Sequence, residues 1–265
     1  MLCLPINQRK KEGAKKMNPH QVVKEFERAV AEYTGAPYVV AVNSCSAALM
    51  LAVAWHLRPR PALIGNLPTH LKPESMPYTT QWFAKTREEC PAIEIPKRTY
   101  VSVPMSIIHA GGRPTFRDEE WLGAYPLLPL NVWDSARWFT SDLWRRMPPS
   151  TGSKRIPADR GIVADGVGMM ICTSHHWSKT LGIQQGGCIL HDAPEADAWL
   201  RRARFDGRTE GVAPKDDNIT QVGWHCYMSP EVAAEGLVRL HFLPKHNAPL
   251  PNDQYPDLSQ LEIFK

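Results

Sequence analysis

The sequence contains no C-x-x-C pair and no Cys/His spacing of the kind that holds zinc. Its six cysteines, at 3, 45, 90, 172, 188 and 226, are scattered. That excludes a zinc ribbon or a dithiol redox centre and predicts reduced thiols in a cytoplasmic protein without a metal site. No apolar run approaches the roughly 18 residues a membrane helix needs, so no spanning segment is expected. The opening Met1 to Pro5 is too short for a signal-peptide core, and the basic run Arg9-Lys10-Lys11 comes after it. Met17 is an alternative start that would make the first residues a loose basic arm. There are no internal repeats. Neither sign of charge dominates: 31 Lys and Arg against 27 Asp and Glu give a formal net charge of +4, which leaves an anionic ligand or a nucleic acid open as a partner without requiring either.

The residues that are present suit a globular chain. An apolar fraction of 43% and a charged fraction of 22% supply a full hydrophobic core. The 24 prolines exceed the usual share of about 5% and predict long irregular connections. Nine tryptophans add flat faces for stacking.

Along the chain, Val22, Val23, Phe26, Ala29, Val30 and Tyr33 form one stripe of an amphipathic helix over residues 20–34, stopped by Gly35 and Pro37. Tyr38 to Val42 reads as a short buried strand. The small polar residues Asn43, Ser44, Cys45 and Ser46 then open a helix running to Leu57, a turn that offers either a plain Ser cap or an anion seat. Residues 58–92 are Pro-rich and read as an insertion. Ala92 to Pro96 is a strand, Thr99 to Pro104 leads into a helix ending at Gly111-Gly112, and Pro114 to Phe116 begins another strand. Leu127 to Trp133 runs straight into Asp134, a carboxylate where α/β sheets present their ligand contacts. Residues 145–160 are basic and rich in breakers, read as a linker or a polyanion contact. Helices follow over Glu195–Arg204 and Ser229–His241, the second with Pro at its first position. Alternating strands and helices predict an α/β fold, a three-layer sandwich around a mainly parallel sheet. The expected organisation is a basic arm over 1–19, an α/β domain over 20–243 carrying the 58–92 insertion, and an extended tail over 244–265.

The centre of the chain is Met169 to Leu190. An apolar strand enters, Ser174, His175, His176, Trp177 and Ser178 break it, Lys179 follows, and Gly186-Gly187 leads into a second strand. Such a turn holds one amine rigidly. Lysine forms Schiff bases when desolvation or a nearby cation keeps that amine neutral.

These blocks, in this order, resemble the DegT/DnrJ/EryC1/StrS family of fold-type-I pyridoxal-phosphate sugar aminotransferases. The family's Asn-Ser-Gly-Thr-x-Ala-Leu turn is similar to Asn43 to Leu49, and its Pro-x-x-Thr-aromatic block to Pro96 to Tyr100. Its Gly-Gly-x-Pro-x-Phe block is similar to Gly111 to Phe116, and its Glu-Asp-Ala-Ala-Gln to Trp133 to Arg137. Ser-Phe-x-x-x-Lys resembles Ser174 to Lys179, and Gly-Tyr-Asn-Tyr-Arg-Met-Ser resembles Gly223 to Ser229. The resemblance spans residues 22–243. It implies the aspartate-aminotransferase large-domain fold with a reduced C-terminal small domain, pyridoxal 5'-phosphate as cofactor, and a homodimer with a shared active site. It also implies an amino-acid donor and a carbonyl acceptor such as a nucleotide-linked keto-sugar.

Residue by residue, the resemblance implies that Lys179 carries the cofactor as a Schiff base and shuttles the proton at the substrate α-carbon. Asp134 would hold the pyridinium nitrogen. Ser44, Cys45, Ser46 and Ser174 would seat the phosphate, with His176 nearby in the Lys179 turn. Tyr100 would stack on the ring. Arg137 stands where a Gln or His meets the phenolic oxygen, so it would steady a phenolate or hold a substrate carboxylate. His225 stands where an Asn reaches the partner's phosphate. Cys45 departs from the family's Gly. Two other readings keep the fold: a decarboxylase or lyase acting on an aminoacyl-modified base in phage DNA, and a non-catalytic binding protein.

Overall fold

A computed structural model describes residues 19–58, 89–148 and 168–265. The basic arm before Pro19, residues 59–88 of the Pro-rich insertion and the basic loop from 149 onward lie outside the described residues.

The first helix, α1 (Pro19–Thr34), buries Val23, Phe26 and Val30 along the stripe its spacing predicts. Strand β1 (Tyr38–Val42) leads into α2 (Cys45–Leu57), which is apolar nearly all round and therefore sits inside the molecule. Strand β2 (Ala92–Pro96), helix α3 (Ser102–His109) and strand β3 (Arg113–Arg117) form a parallel unit. Strands β4 (Tyr125–Leu127) and β5 (Val132–Ser135) make a hairpin, followed by the single turn α4 (Leu143–Arg146). Strands β6 (Met170–Ser174) and β7 (Gly187–His191) flank the lysine turn. Helices α5 (Pro194–Ala203) and α6 (Pro230–Phe242) follow, both with Pro at the start of the helix, where its missing N–H costs nothing.

The main sheet has the order β1-β7-β6-β5-β4, and the β2-β3 pair continues it through a bridge between Glu94 and Leu128. Residues alternate between two cores, as a strand period of two requires. Val40, Val42, Met170, Cys172 and Ile189 pack beneath α2 and α5, while Val39, Ala41, Ile171, Cys188 and Leu190 pack against α1 and α6. The three layers follow from that alternation. Helices α1 and α6 meet closely at Gly236, where a Cβ would come within 2.6 Å of the Phe26 ring.

The α/β class is as the sequence predicts, with one difference: the sheet is mixed. Within it only β5 and β6 run parallel, whereas β7 is antiparallel to both β6 and β1. The cause is local. A parallel neighbour needs a crossover, usually a helix, but the β6–β7 connection carries the lysine turn instead, and β4 returns directly into β5. The C-terminal segment differs as well. Rather than trailing away, residues 244–265 fold back across the domain and bury Leu258 and Phe264, the latter against Phe116 at 5.8 Å.

Candidate active site

The lysine turn is tied at its base. His175 N–H donates to Gly186 O (2.9 Å), Ile183 N–H donates to His175 O (3.0 Å), and Lys179 N–H donates to His176 O (2.8 Å). His175 is wholly buried between the rings of Phe26 and Phe139, and burial lowers its pKa to about 3, so it is a neutral structural residue. Trp177 at the tip is exposed. At the exit, Gly187 is required by space: a Cβ there would lie 2.7 Å from the backbone of Ser44 and Cys45. This close approach brings the start of β7 under the start of α2, and with it the turn that carries Lys179.

Lys179 is half-buried, and its amine titrates below the ordinary lysine value. Desolvation is the main cause and the Arg137 guanidinium the second; Asp253, Asp134 and Cys45 oppose them.

Asp134 is the next-to-last residue of β5, opposite Cys172 of the parallel strand β6. It is 4% exposed. Its Oδ1 accepts from Ala136 N–H (2.9 Å) and its Oδ2 from the Tyr125 hydroxyl (2.6 Å). Tyr125 stands directly opposite Asp134 in the β4–β5 hairpin, as a cross-strand pair. Thr99 Oγ1 lies 2.5 Å from the same phenol oxygen and completes a buried chain of hydroxyls. Desolvation holds the Asp134 carboxyl above its usual range, while Tyr125, Ala136 N–H and Lys179 pull it down. The Tyr125 hydroxyl stays protonated, pushed well up by burial and by Asp134.

A cavity of about 440 Å³ opens between these groups. The first turn of α2 forms one wall. There the Ser44 side chain caps the helix by accepting from Ala47 N–H (3.1 Å), and Ser46 Oγ donates to Ser102 Oγ (2.7 Å). Ser174, at the end of β6, with His176 and Lys179 forms another wall, and Asp134 and Arg137 a third. His176 Nδ1 lies 2.9 Å from Ser178 Oγ. Tyr100 is exposed at the mouth. Desolvation and the Asp134 carboxylate keep the Cys45 thiol protonated.

Nine of the ten residues named from the sequence therefore line one cavity: Ser44, Cys45, Ser46, Tyr100, Asp134, Arg137, Ser174, His176 and Lys179. His225 does not. It lies on the surface, 71% exposed along its side chain, with Nδ1 2.8 Å from Asp206 Oδ2. Residues that sequence reading passed over also belong to the site. Tyr125 and Thr99 support Asp134, and Trp121, Asp253 and Tyr255 close the far side. Tyr255 stacks on Trp121 at 6.3 Å and meets Tyr100 edge-on at 6.5 Å. Arg137 Nη1 donates to Asp253 Oδ2 (2.6 Å) and to the Tyr255 hydroxyl (3.2 Å), and its Nη2 donates to Pro251 O. Tyr125 lies two residues before the apolar run Leu127 to Trp133, so no sequence signal marks it, and the tail carries none.

The sequence model of the DegT/DnrJ/EryC1/StrS aminotransferase family matches residues 8–58, which take in α1, β1 and α2. Among solved structures, the sugar aminotransferase CalS13 from Micromonospora echinospora is 19% identical with a TM-score of 0.58, covering 83% of this chain and 60% of that one. A DegT DnrJ EryC1 StrS aminotransferase from Brucella abortus is 18% identical with a TM-score of 0.53, covering 83% and 58%. NtdA from Bacillus subtilis, solved with bound cofactor PMP, is 17% identical with a TM-score of 0.53, covering 84% and 48%. A comparison with curated protein sequences finds no match. The resemblance read from the motifs thus holds in sequence at the N-terminal end and in fold over most of the chain. This chain spans between 48% and 60% of the length of those three structures.

Proposed function

We propose that this protein is a pyridoxal-phosphate-dependent aminotransferase. It would move an amino group from an amino acid to a carbonyl substrate, with a nucleotide-linked keto-sugar as the acceptor class. The observation that carries the reading is the pairing, across one cavity, of a lysine whose amine titrates low with a buried carboxylate.

The residues present fit the cofactor. The N-terminus of α2 with Ser46, and Ser174 beside it, offer the hydroxyls and helix end that suit a phosphate. Asp134 is desolvated, acceptor-only when ionised, and already oriented by two donors. The cavity volume falls in the range of about 300–1,000 Å³ usual for small-molecule sites. CalS13 and the Brucella protein are aminotransferases by name, and NtdA was solved with PMP. Pyridoxal phosphate, when bound, supplies the electron-accepting ring that lets an amino group change hosts.

This chain's residues do the rest. Lys179 Nζ, made less basic by desolvation and Arg137, would be the covalent anchor and the group that takes and returns the proton at the substrate α-carbon. Asp134 would accept a hydrogen bond from the ring N–H of the bound cofactor and so keep that nitrogen protonated. Tyr125, fixed by Thr99, holds the carboxylate in place. Tyr100 offers a ring face at the mouth. His225 would reach the phosphate of a second copy, giving a homodimer with a shared site, and the free cysteines fit a cytoplasmic setting.

The test is a visible absorption titration with pyridoxal phosphate, followed by L-glutamate, run beside Lys179→Ala. A band that needs Lys179 and that glutamate bleaches supports the reading. A band indifferent to Lys179 removes it.

A further inference from the structure

We propose that Arg137 is the seat for the amino donor's carboxylate, and that Asp253 holds this seat in the free protein until a substrate carboxylate replaces it. The inference deepens the reading above and rests on it.

Arg137 and Asp253 are unequal partners. The Arg137 side chain is 9% exposed and fixed in the cavity wall, whereas that of Asp253 is 65% exposed. Their contact is a single hydrogen bond from Nη1. The guanidinium fork is therefore incompletely used by carboxylate, and its buried Nε has no hydrogen-bond partner among the described residues. A guanidinium matches a carboxylate best through two parallel N–H donors. An incoming carboxylate that engages Nε as well as a terminal nitrogen satisfies the orphaned donor, which Asp253 does not. Asp253 itself is mostly exposed and solvent screens its charge, so a carboxylate better matched to the fork can displace it.

The location makes the exchange useful. Arg137, Asp253 and Lys179 line one cavity, so a carboxylate on Arg137 belongs to a molecule whose amino group lies on the side of Lys179. The charges balance in the free protein: Lys179 and Arg137 against Asp134 and Asp253. A few contacts hold residues 250–255 to the domain: Leu250 N–H donates to Arg137 O (2.8 Å), Arg137 Nη2 donates to Pro251 O, Asn252 Nδ2 donates to Trp121 O, and the Tyr255 ring stacks on Trp121. Residues 250–255 therefore act as a displaceable strap across the mouth.

The test uses glutarate, a dicarboxylate without an amino group, with neutral glutaramide as control. Titration calorimetry is run on the full chain with and without pyridoxal phosphate. Asp253→Asn is expected to bind glutarate about threefold to tenfold more tightly than wild type, because the competing anion is gone. Arg137→Gln is expected to bind it about tenfold more weakly or worse. Glutaramide should not distinguish the variants. Hydrogen exchange at the Leu250 and Tyr255 amides should speed up when glutarate is added. If Asp253→Asn binds glutarate no better than wild type, or strap exchange is unchanged, Asp253 is a permanent brace and the inference fails. Should Arg137→Gln not fold, the Asp253→Asn and exchange results decide alone. The Lys179-dependent absorption band is recorded on the same samples. Its loss counts against the cofactor reading, whereas its presence with glutarate binding indifferent to Asp253 and Arg137 counts against this inference only.

Discussion

Asp134→Asn is expected to make the free protein more stable at neutral pH while removing its capacity to hold a protonated ring nitrogen. The carboxyl is 4% exposed, and desolvation raises its pKa despite three groups that favour its charge. The unfolded carboxyl titrates near 3.9. A pKa raised in the folded state means that the native protein prefers the protonated form. The associated stability is complete below about pH 3.9, is lost as pH rises through the folded pKa, and stays lost above it. Each pH unit by which the folded value exceeds the unfolded one is worth about 1.4 kcal/mol. For a chain of this size that corresponds to roughly 3–6 °C in Tm. Asparagine removes the charge and keeps the shape. Its Nδ2 can donate to the Tyr125 oxygen while the Tyr125 hydroxyl turns to Thr99, 2.5 Å away, so no buried group is orphaned. The assay is thermal melting of both proteins, without cofactor, from pH 8 to pH 4. The variant should melt higher at pH 8, and the gap should close on acidification as wild-type Asp134 takes up its proton. A variant that melts lower than wild type at pH 8, or a gap that does not change with pH, would refute the reasoning.

Three further outcomes follow from the same contacts. Tyr125→Phe removes a charge-assisted hydrogen bond to Asp134, worth about 1.5–3 kcal/mol; cofactor affinity by fluorescence titration should fall at least tenfold, with an unchanged affinity counting against Tyr125 as a positioning residue. His175, neutral in its buried slot, should make wild-type stability fall by about 1.4 kcal/mol per pH unit between about 6.5 and 3; His175→Gln should lack that slope in urea unfolding. Glu27 accepts from Ala41 N–H at 2.9 Å and pairs with Arg201 at 2.6 Å and with the buried Arg204. Glu27→Ala removes one of two carboxylates from each guanidinium, leaving Arg201 with Asp197 and Arg204 with Glu210, and should cost about 1.5–3 kcal/mol by the same measurement.

The parts of the site legible in sequence are those set by short-range rules. Ser44 is a cap residue before an apolar run and does cap α2. Asp134 follows a strand, and the turn with Lys179 lies between two strands, so local order alone places both at strand ends. The strand directions were not legible, because direction depends on which strands become neighbours. Nor was Tyr125, whose partner is chosen by the hairpin register. The tail reads as loose because proline and polar residues show no periodicity. Its hold on the domain comes from single contacts instead: Leu258 N–H to Lys97 O at 2.9 Å, Asp253 to Arg137, and Phe264 to Phe116. The buried Glu27–Arg201–Arg204 network was invisible for a related reason. Charges on helices ordinarily face water, and only the packing of α1 near α5 brings these together.

The central claim is that Lys179 is the residue that holds the cofactor covalently. Incubation with pyridoxal phosphate, reduction with borohydride and peptide mapping by mass spectrometry test it directly. The account predicts a cofactor-mass adduct on the peptide containing Lys179, at close to one per chain, and its disappearance in Lys179→Ala. An adduct spread over surface lysines such as Lys215 and Lys245, with none on Lys179, would contradict it.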